Sequence, residues 1–84
     1  MPRVREPSSP NRANVREVLA VNIIRLRAAK GWSQEALAFE CGLHRTFIAH
    51  VERKSRNLSL DNIDKIAAAF SVETWQLLKP TYSA

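Results

Sequence analysis

The sequence predicts an all-α fold, a compact bundle of five helices in a single domain. Apolar residues recur three and four positions apart along most of the chain, which is the spacing of one face of an α-helix. Residues that favour helix starts and stops, such as Ser33, Gly31 and Pro80, separate these segments. No segment alternates apolar and polar residues as a half-buried strand would, and no internal repeat is present.

The first helix is predicted to run from about Val15 to Lys30. Asn14 precedes it and Glu17 follows three residues later, which matches a capping box with Asn as the N-cap. Gly31 favours the left-handed backbone that ends many helices. The inner face of this helix is predicted to consist of Val15, Val18, Leu19, Asn22, Ile23 and Leu26.

Helices 2 and 3 are predicted to be short and to be joined by a tight turn. Helix 2 runs roughly from Gln34 to Cys41 with Ser33 as its N-cap, and helix 3 runs from about Arg45 to near Lys54. Gly42 lies at the turn, where a residue that tolerates a positive φ is favoured. Ala38 is small where the two helices must touch. The inner face of helix 3 contains Ile48 and Val51.

Helix 4 is predicted to begin after Ser59, with Asp61 in its first turn at the positive end of the helix dipole. A short fifth helix is expected from about Thr74 to Lys79, and Pro80 ends it. The buried face of helix 4 is predicted to comprise Leu60, Ile63, Ile66, Ala67 and Phe70.

Composition divides the chain into three parts, residues 1–13, 14–80 and 81–84. Residues 1–13 hold three of the four prolines and almost no apolar side chains, so we expect a disordered basic arm there. Residues 14–80 are expected to form the folded domain, and residues 81–84 a short tail. A chain of 84 residues, 45% of them hydrophobic, has room for one domain with a modest core.

Charge and cysteine content restrict the partner and the compartment. The net charge of +5 favours a polyanionic partner. The single cysteine, Cys41, has no partner for an internal disulfide, which suits a reducing compartment. No apolar run approaches the length of a membrane span, and no signal-peptide stretch opens the sequence, so we expect a cytoplasmic protein.

Residues 34–53, QEALAFECGLHRTFIAHVER, have the form of a helix-turn-helix, in which the second helix enters the major groove of DNA. Phe47 lies between the inner and outer faces of helix 3, where it either packs on the core or inserts into DNA. The outer face carries small or hydrogen-bonding side chains, namely Arg45, Thr46, Ala49, His50 and Arg53.

The segment IIRLRAAKGWSQEALAFECGLHRTFIAHVERKSRNLSLDNIDKIAAAFSV resembles the phage repressor/Cro-type (Xre-type) helix-turn-helix domains, and the resemblance runs from about Leu19 to Leu78. Within that family, GLHRTFIAHVERKSRNLSL looks most like the controller proteins of restriction–modification systems. Lys54 and Ser71 stand where glycine is usual, and Leu58 stands where proline is common. We therefore expect the end of helix 3 to be shaped differently from that of its relatives.

In proteins of this type the start of helix 3 points into the major groove. Arg45 is suited to bidentate hydrogen bonds with guanine O6 and N7, and Thr46 offers a hydroxyl, or a methyl for thymine. Ala49 faces the groove and is able to touch a thymine methyl at most. His50 is predicted to reach a base or a phosphate, the alternative being a surface histidine without a role. These four residues are the predicted base contacts.

Phosphate contacts are predicted on both sides of helix 3. The resemblance makes Gln34 such a contact, since helix 2 begins there with N–H groups suited to an anion. His44 takes the N-cap position of helix 3, and we expect it to contact phosphate rather than to cap. Residues 44–57 carry four cations against one acid, which suits a grip on the DNA backbone. The predicted set is Ser33, Gln34, His44, Arg53, Lys54, Arg56 and Asn57.

The resemblance also implies a structural ion pair between Arg27, late in helix 1, and Glu52, at the end of helix 3. Such a pair would tie the recognition helix to the scaffold rather than read bases. Removing one partner would leave a partly buried charge unpaired.

No metal site, active site or cofactor is predicted. Cys41, His44 and His50 resemble half a zinc site, but a second ligand pair is missing. No glycine-rich phosphate loop, paired carboxylates or activated nucleophile is present in the sequence. We expect no small-molecule ligand, because the chain contains no recognisable ligand-binding domain.

The end of the chain predicts self-association. Trp75, Leu77 and Leu78 are apolar, and we expect them to form a two-fold dimer interface; the alternative is that they cap their own core. The sequence therefore predicts a homodimeric transcriptional regulator that binds a palindromic operator in double-stranded DNA. The alternative function is a protein-interaction module, such as an antitoxin-like or adaptor domain.

Overall fold

A computed structural model describes residues 14–54 and 57–80. The predicted arm at residues 1–13, the predicted phosphate contact Arg56 and the tail at residues 81–84 lie outside the described residues. Every regular element in the described residues is a helix, which confirms the predicted all-α class. The helices are α1 (Val15–Lys30), α2 (Gln34–Cys41), α3 (Arg45–Glu52), α4 (Leu60–Ala69) and α5 (Thr74–Leu77).

The helix starts follow the caps that the sequence predicts, with one change. Ser33 Oγ accepts from the amide of Ala36 at 3.0 Å, and Ser59 Oγ accepts from the amide of Asn62 at 3.1 Å. Asn14 also caps its helix, but its Oδ1 accepts from the amide of Arg16 at 2.8 Å and not from the third helical residue. The cap of α1 is therefore present without the predicted backbone partner of a capping box.

Two helices end earlier than predicted. Helix α3 ends at Glu52, with Arg53 as its C-cap, and α5 ends at Leu77 rather than Lys79. A capping box that the sequence did not indicate starts α5, where the amide of Glu73 donates to Gln76 Oε1 at 2.7 Å. Since a helix of four residues has little stability of its own, contacts with the rest of the fold must hold α5 in place.

Lys54 and Ser71 adopt the left-handed backbone in spite of their side chains. Their φ values are 63° and 59°, in the region where glycine is favoured. The expectation of a differently shaped end to α3 is wrong in this respect. The fold keeps the backbone conformation that a glycine would adopt, and each non-glycine residue carries a strain of order 1 kcal/mol.

The hydrophobic core draws on all five helices. Its fully buried side chains include Ile23, Leu37, Ile48, Ile66 and Leu77, each with no exposed surface. The Trp32 ring closes one end by stacking on Phe70, with 5.6 Å between ring centroids. Val15 and Leu60 were predicted to face inward but are 58% and 76% exposed. Each lies in the first turn of its helix, where the described chain does not cover that face.

Asn22 lies inside the core, 4% exposed, where α5 meets α1. Its Nδ2 donates to the carbonyl oxygens of Leu77 at 2.8 Å and Lys79 at 2.9 Å. These carbonyls stand at the end of α5, where no further helical N–H is available to bond them. One buried amide therefore fixes the end of α5 on α1, a role that the helical pattern of the sequence did not indicate.

Candidate nucleic-acid interface

The turn between α2 and α3 is closely packed, which fixes the angle between the two helices. Ala38 is 3% exposed at the contact, and Gly42 has a φ of 70°. The amide of Leu43 donates to the carbonyl of Ala38 at 2.9 Å, across the turn. Cys41 Sγ donates to the carbonyl of Leu37 at 3.1 Å, and burial raises the pKa of this thiol. The thiol is therefore a packing group beneath the turn.

Helix α3 turns one face to the core and the other to solvent. Ile48 is fully buried and Val51 is 2% exposed, whereas Arg45 and Thr46 at the start of the helix are exposed. Ala49 and His50 are half-buried one turn further on. The four predicted base contacts thus lie away from the buried face. Phe47, which the sequence left open, is half-buried and packs against the core cluster.

Glu52, at the end of α3, is the centre of a polar cluster that joins three helices. Arg27 donates to it twice, from Nε to Oε2 at 2.7 Å and from Nη2 to Oε1 at 3.0 Å. The ion pair implied by the resemblance is therefore present as a two-point contact. The side chains of Arg27 and Glu52 are 20% and 7% exposed, so the pair is largely shielded from water. Arg27 Nη1 also donates to the carbonyl of Trp32 at 2.8 Å.

Gln34 belongs to the same cluster. Its Nε2 donates to Glu52 Oε1 at 2.9 Å, so the side-chain amide holds α3 instead of extending freely toward a phosphate. The backbone N–H groups of the first turn of α2 remain the groups suited to an anion. The sequence identified Gln34 by its place at the helix start and missed its bond to a residue 18 positions away.

His44 caps α3, which corrects the expectation that it would not. Its Nδ1 accepts from the amide of Thr46 at 3.1 Å. Because Nδ1 is the acceptor, the neutral imidazole carries its proton on Nε2, which is then a hydrogen-bond donor. The ring therefore both fixes the first turn of the recognition helix and offers one N–H at its exposed end.

The loop after α3 brings together cations from two parts of the chain. Arg53 and Lys54 are exposed at the end of α3. Asn57, a predicted phosphate contact, accepts at Oδ1 from Nη2 of Arg16, in the first turn of α1. The sequence did not indicate Arg16, since 41 positions separate it from Asn57. This contact adds a guanidinium group to the basic loop.

The three predicted dimer residues differ in their surroundings. Leu77 is fully buried in the core of its own chain, so it is unavailable to a partner and that part of the prediction is wrong. Trp75 is 59% exposed and Leu78 is half-buried. Because α5 turns Leu77 toward the core, Trp75 and Gln76 on the same helix are left exposed.

Among residues 14–54 and 57–80, no group of three His, Cys, Asp or Glu side chains could hold a metal ion. Of the two residues that the sequence likened to half a zinc site at this turn, Cys41 is buried and His44 is exposed. No helix in the same residues is long and apolar enough to cross a membrane.

Comparison with known proteins identifies the family to which this geometry belongs. The sequence pattern of the family described as helix-turn-helix matches residues 23–74, which include α2, the turn and α3. The chain belongs to the helix-turn-helix family. The family match confirms the resemblance to Xre-type helix-turn-helix domains and the all-α fold class that the sequence predicts.

Relatives of this helix-turn-helix protein include a hypothetical transcription factor and control proteins. A hypothetical transcription factor from Neisseria meningitidis serogroup B is 52% identical over 71 residues, which cover 84% of this chain and 67% of the relative. The control protein C.BamHI of Bacillus amyloliquefaciens is 48% identical over 66 residues, which cover 77% of this chain and 82% of that protein.

A solved structure extends the similarity to three dimensions. The restriction–modification controller protein C.AhdI from Aeromonas hydrophila superposes with a TM-score of 0.71 and 45% identity, over 74% of this chain and 94% of that one. The chain is therefore a helix-turn-helix DNA-binding transcription regulator and not an enzyme, as the sequence predicts.

Proposed function

We propose that this regulator binds a two-fold symmetric operator as a homodimer and acts as a controller protein of a restriction–modification system. The observation that supports DNA reading most directly is the mounting of α3. Its inner face is buried, its end is held by Glu52, and its start presents Arg45 and Thr46 to solvent. A rigid helix with an exposed polar start is what base reading in the major groove requires.

In this proposal Arg45 and Thr46 read bases, and His50 and Ala49 lie one turn further along the groove. Arg45 is the principal reader, because a guanidinium bonds guanine at two points and so discriminates against other bases. His50 is half-buried, so its side chain extends less far toward the bases than the exposed side chain of Arg45 does.

Two groups of phosphate contacts flank the recognition helix. The first comprises Ser33 and the backbone N–H groups at the start of α2, beginning with Gln34. The second comprises residues that follow α3 in the sequence, Arg53, Lys54, Arg56 and Asn57. His44 Nε2 is a further proposed contact at the start of the helix. We add Arg16 to the second group, since it bonds to Asn57.

The dimer surface in this proposal lies on the side of α5 that carries Leu78. Leu78 and Val15 line a groove of about 450 Å³ together with Leu58 and Ile63, and the bonded side chains of Arg16 and Asn57 belong to the polar part of its wall. Leu60 lies two residues after Leu58 and is 76% exposed, so we include it in the proposed surface. Because Asn57 and Leu58 follow the loop after α3, a two-fold axis here would bring the ends of two recognition helices toward each other. Two such helices in successive major grooves stand about 34 Å apart.

The controller class rests on the identity with C.BamHI and C.AhdI, which extends through the helix-turn-helix and beyond it. Because the proposed partner is double-stranded DNA, we place the protein in the cytoplasm.

Selection of bound sequences from a random duplex pool tests the proposal. We expect enrichment of a two-fold symmetric site and binding of two chains per site. Arg45→Ala should then weaken binding to that site by about 1–3 kcal/mol and relax the preference at one G·C pair in each half. Arg25→Ala is the matched control, because Arg25 lies on the opposite side of α1 from Arg27, which faces α3. Failure to enrich any sequence, or equal weakening by both variants, would contradict specific DNA reading.

A further inference from the structure

The N-cap of the recognition helix differs in kind from those of the other long helices. Helices α1, α2 and α4 are capped by side-chain oxygens, which belong to Asn14, Ser33 and Ser59. Helix α3 is capped by an imidazole nitrogen, His44 Nδ1, which accepts from the amide of Thr46 at 3.1 Å. Histidine changes its charge between about pH 5 and 8, and the hydroxyl and amide caps do not. Among these four helices, α3 is therefore the one whose start depends on a proton.

His44 supplies the acceptors for three amides at the start of α3. Its ring accepts from Thr46, and its carbonyl oxygen accepts from the amides of Phe47 at 3.0 Å and Ile48 at 3.3 Å. The first N–H groups of a helix have no acceptor within the helix, so a lost cap leaves its donor without a protein partner. The turn that would lose this bond is the one that carries Arg45 and Thr46.

A proton on Nδ1 breaks this cap. The imidazolium carries a hydrogen on each nitrogen, so His44 is then unable to accept from Thr46 and two donors face each other. Its charge also lies at the positive end of the α3 dipole, where a cation is unfavourable. Both effects act in the same direction. The cap is therefore formed while the ring is neutral, and it is lost as the pH falls.

Charged groups from two helices share a groove with the His44 ring. The groove has a volume of about 460 Å³ and includes Glu35 from α2 and Arg45 from α3. Among the described residues that line it, these two are the ones that carry a charge. The Arg45 guanidinium repels an imidazolium, whereas the exposed carboxylate of Glu35 attracts it. Glu35 thus offers the protonated ring an acceptor away from the cap.

We propose that His44 is a positioning residue whose proton controls how selectively the protein reads DNA. The neutral ring holds the first turn of α3 and, with it, the side chains of Arg45 and Thr46. The protonated ring turns toward Glu35, releases the Thr46 amide and loosens the turn. The inference rests on the proposed function in one respect, that Arg45 and Thr46 read bases. The proton-dependent cap itself does not depend on that function.

Protonation should lower sequence selectivity rather than DNA binding as a whole. A cation at the start of α3 attracts the phosphates of every sequence alike. Specific binding also requires a helical first turn, so it loses the contribution of the cap. The loss of one N-cap corresponds to a change of about 2- to 30-fold in an equilibrium constant. The ratio of the dissociation constants for scrambled and operator DNA should fall by that factor between about pH 8 and about pH 5.5.

Fluorescence anisotropy measures this ratio with the full chain and two duplexes, the operator selected from the random pool and a scrambled duplex of the same composition. His44→Ser is the matched variant, because serine caps helices and does not titrate in this range. It binds both duplexes more weakly, but its ratio should change by less than about twofold with pH. His44→Ala lacks the cap at every pH, so its ratio at about pH 8 should already equal the acid ratio of the wild type.

A measurement without DNA separates this inference from the proposed function. In an NMR titration of the wild type, the Thr46 amide resonance should shift with the same midpoint as the His44 ring resonances, since both report one proton. The chain has two histidines, and the spectrum of His44→Ser identifies the ring of the other, His50. A wild type without sequence preference at about pH 8, but with a Thr46 amide that follows His44, would contradict the proposed function and confirm the proton-dependent cap.

Three results would overturn the inference. The first is a Thr46 amide that stays in place while the His44 ring titrates. The second is a wild-type selectivity ratio that stays within about twofold between the two pH values. The third is an equal loss of selectivity in His44→Ser and the wild type, which would assign the pH dependence to His50 instead.

Discussion

Replacement of Glu52 by alanine should destabilise the domain severely, because it removes the acceptor of three hydrogen bonds. Two come from Arg27, at 2.7 and 3.0 Å, and one comes from Gln34, at 2.9 Å. Breaking a buried ion pair costs about 3–5 kcal/mol when the remaining charge stays buried. Arg27 is 20% exposed and keeps its bond to the Trp32 carbonyl, so water recovers part of that cost. We expect a loss of about 2–4 kcal/mol.

That loss is large for a domain of this size. Stabilities of about 0.05–0.15 kcal/mol per residue give a total of roughly 4–12 kcal/mol. A change of 1 kcal/mol shifts the melting temperature of such a domain by about 4–8 °C, so the expected decrease is roughly 8–32 °C. Circular dichroism at 222 nm during heating measures it. Glu40→Ala is the control, since Glu40 is an exposed carboxylate near the end of α2 and should change stability by less than about 0.5 kcal/mol.

A double variant separates the lost pair from lost packing. Arg27→Met and Glu52→Leu together replace both charges by apolar side chains, so neither charge is left buried without its partner. We expect the double variant to be more stable than either single variant. If Glu52→Ala melts within about 2 °C of Glu40→Ala, or if the two single losses simply add, the carboxylate does not hold the three helices together and the reasoning fails.

Three further changes test the recognition helix, the strained turn and the dimer surface. His44→Ser should retain the N-cap of α3, so its stability should change by less than about 0.5 kcal/mol while its DNA binding weakens. His44→Ala removes the cap and should lose about 0.5–2 kcal/mol of stability. Urea unfolding measures both changes in stability. Ser71→Gly should raise the free energy of unfolding by about 0.5–1 kcal/mol, since it relieves a φ of 59°; an equal or lower urea midpoint would contradict the strain. Leu60→Glu should give a folded monomer in sedimentation and weaken operator binding. Leu43→Glu is not a test of the interface, because Leu43 packs against the core. A Leu60→Glu protein that stays dimeric would show that the interface lies elsewhere.

Local signals in the sequence predicted the elements of the fold well. The bounds of α1 and α2 follow from Gly31, Ser33 and Gly42, which act on the backbone within a few residues of themselves. The inner faces of helices follow from spacing, but spacing carries no information on where a neighbouring helix stops. Val15 and Leu60 therefore matched the pattern and are nevertheless exposed.

The parts of the site that the sequence did not predict depend on contacts between distant positions. Gln34 marks a helix start by its place, yet its amide bonds Glu52, and Arg16 joins the basic loop through Asn57. The pair of Arg27 and Glu52 came from a family resemblance, since no local rule relates residues 25 positions apart.

Asn22 connects the two surfaces that lie on either side of α5. Its amide bonds to the carbonyls of Leu77 and Lys79, and so it fixes both the side of α5 that carries Leu78 and the side that carries Trp75. A four-residue helix has no stable position of its own, so neither surface is formed until this bond and the burial of Leu77 place it.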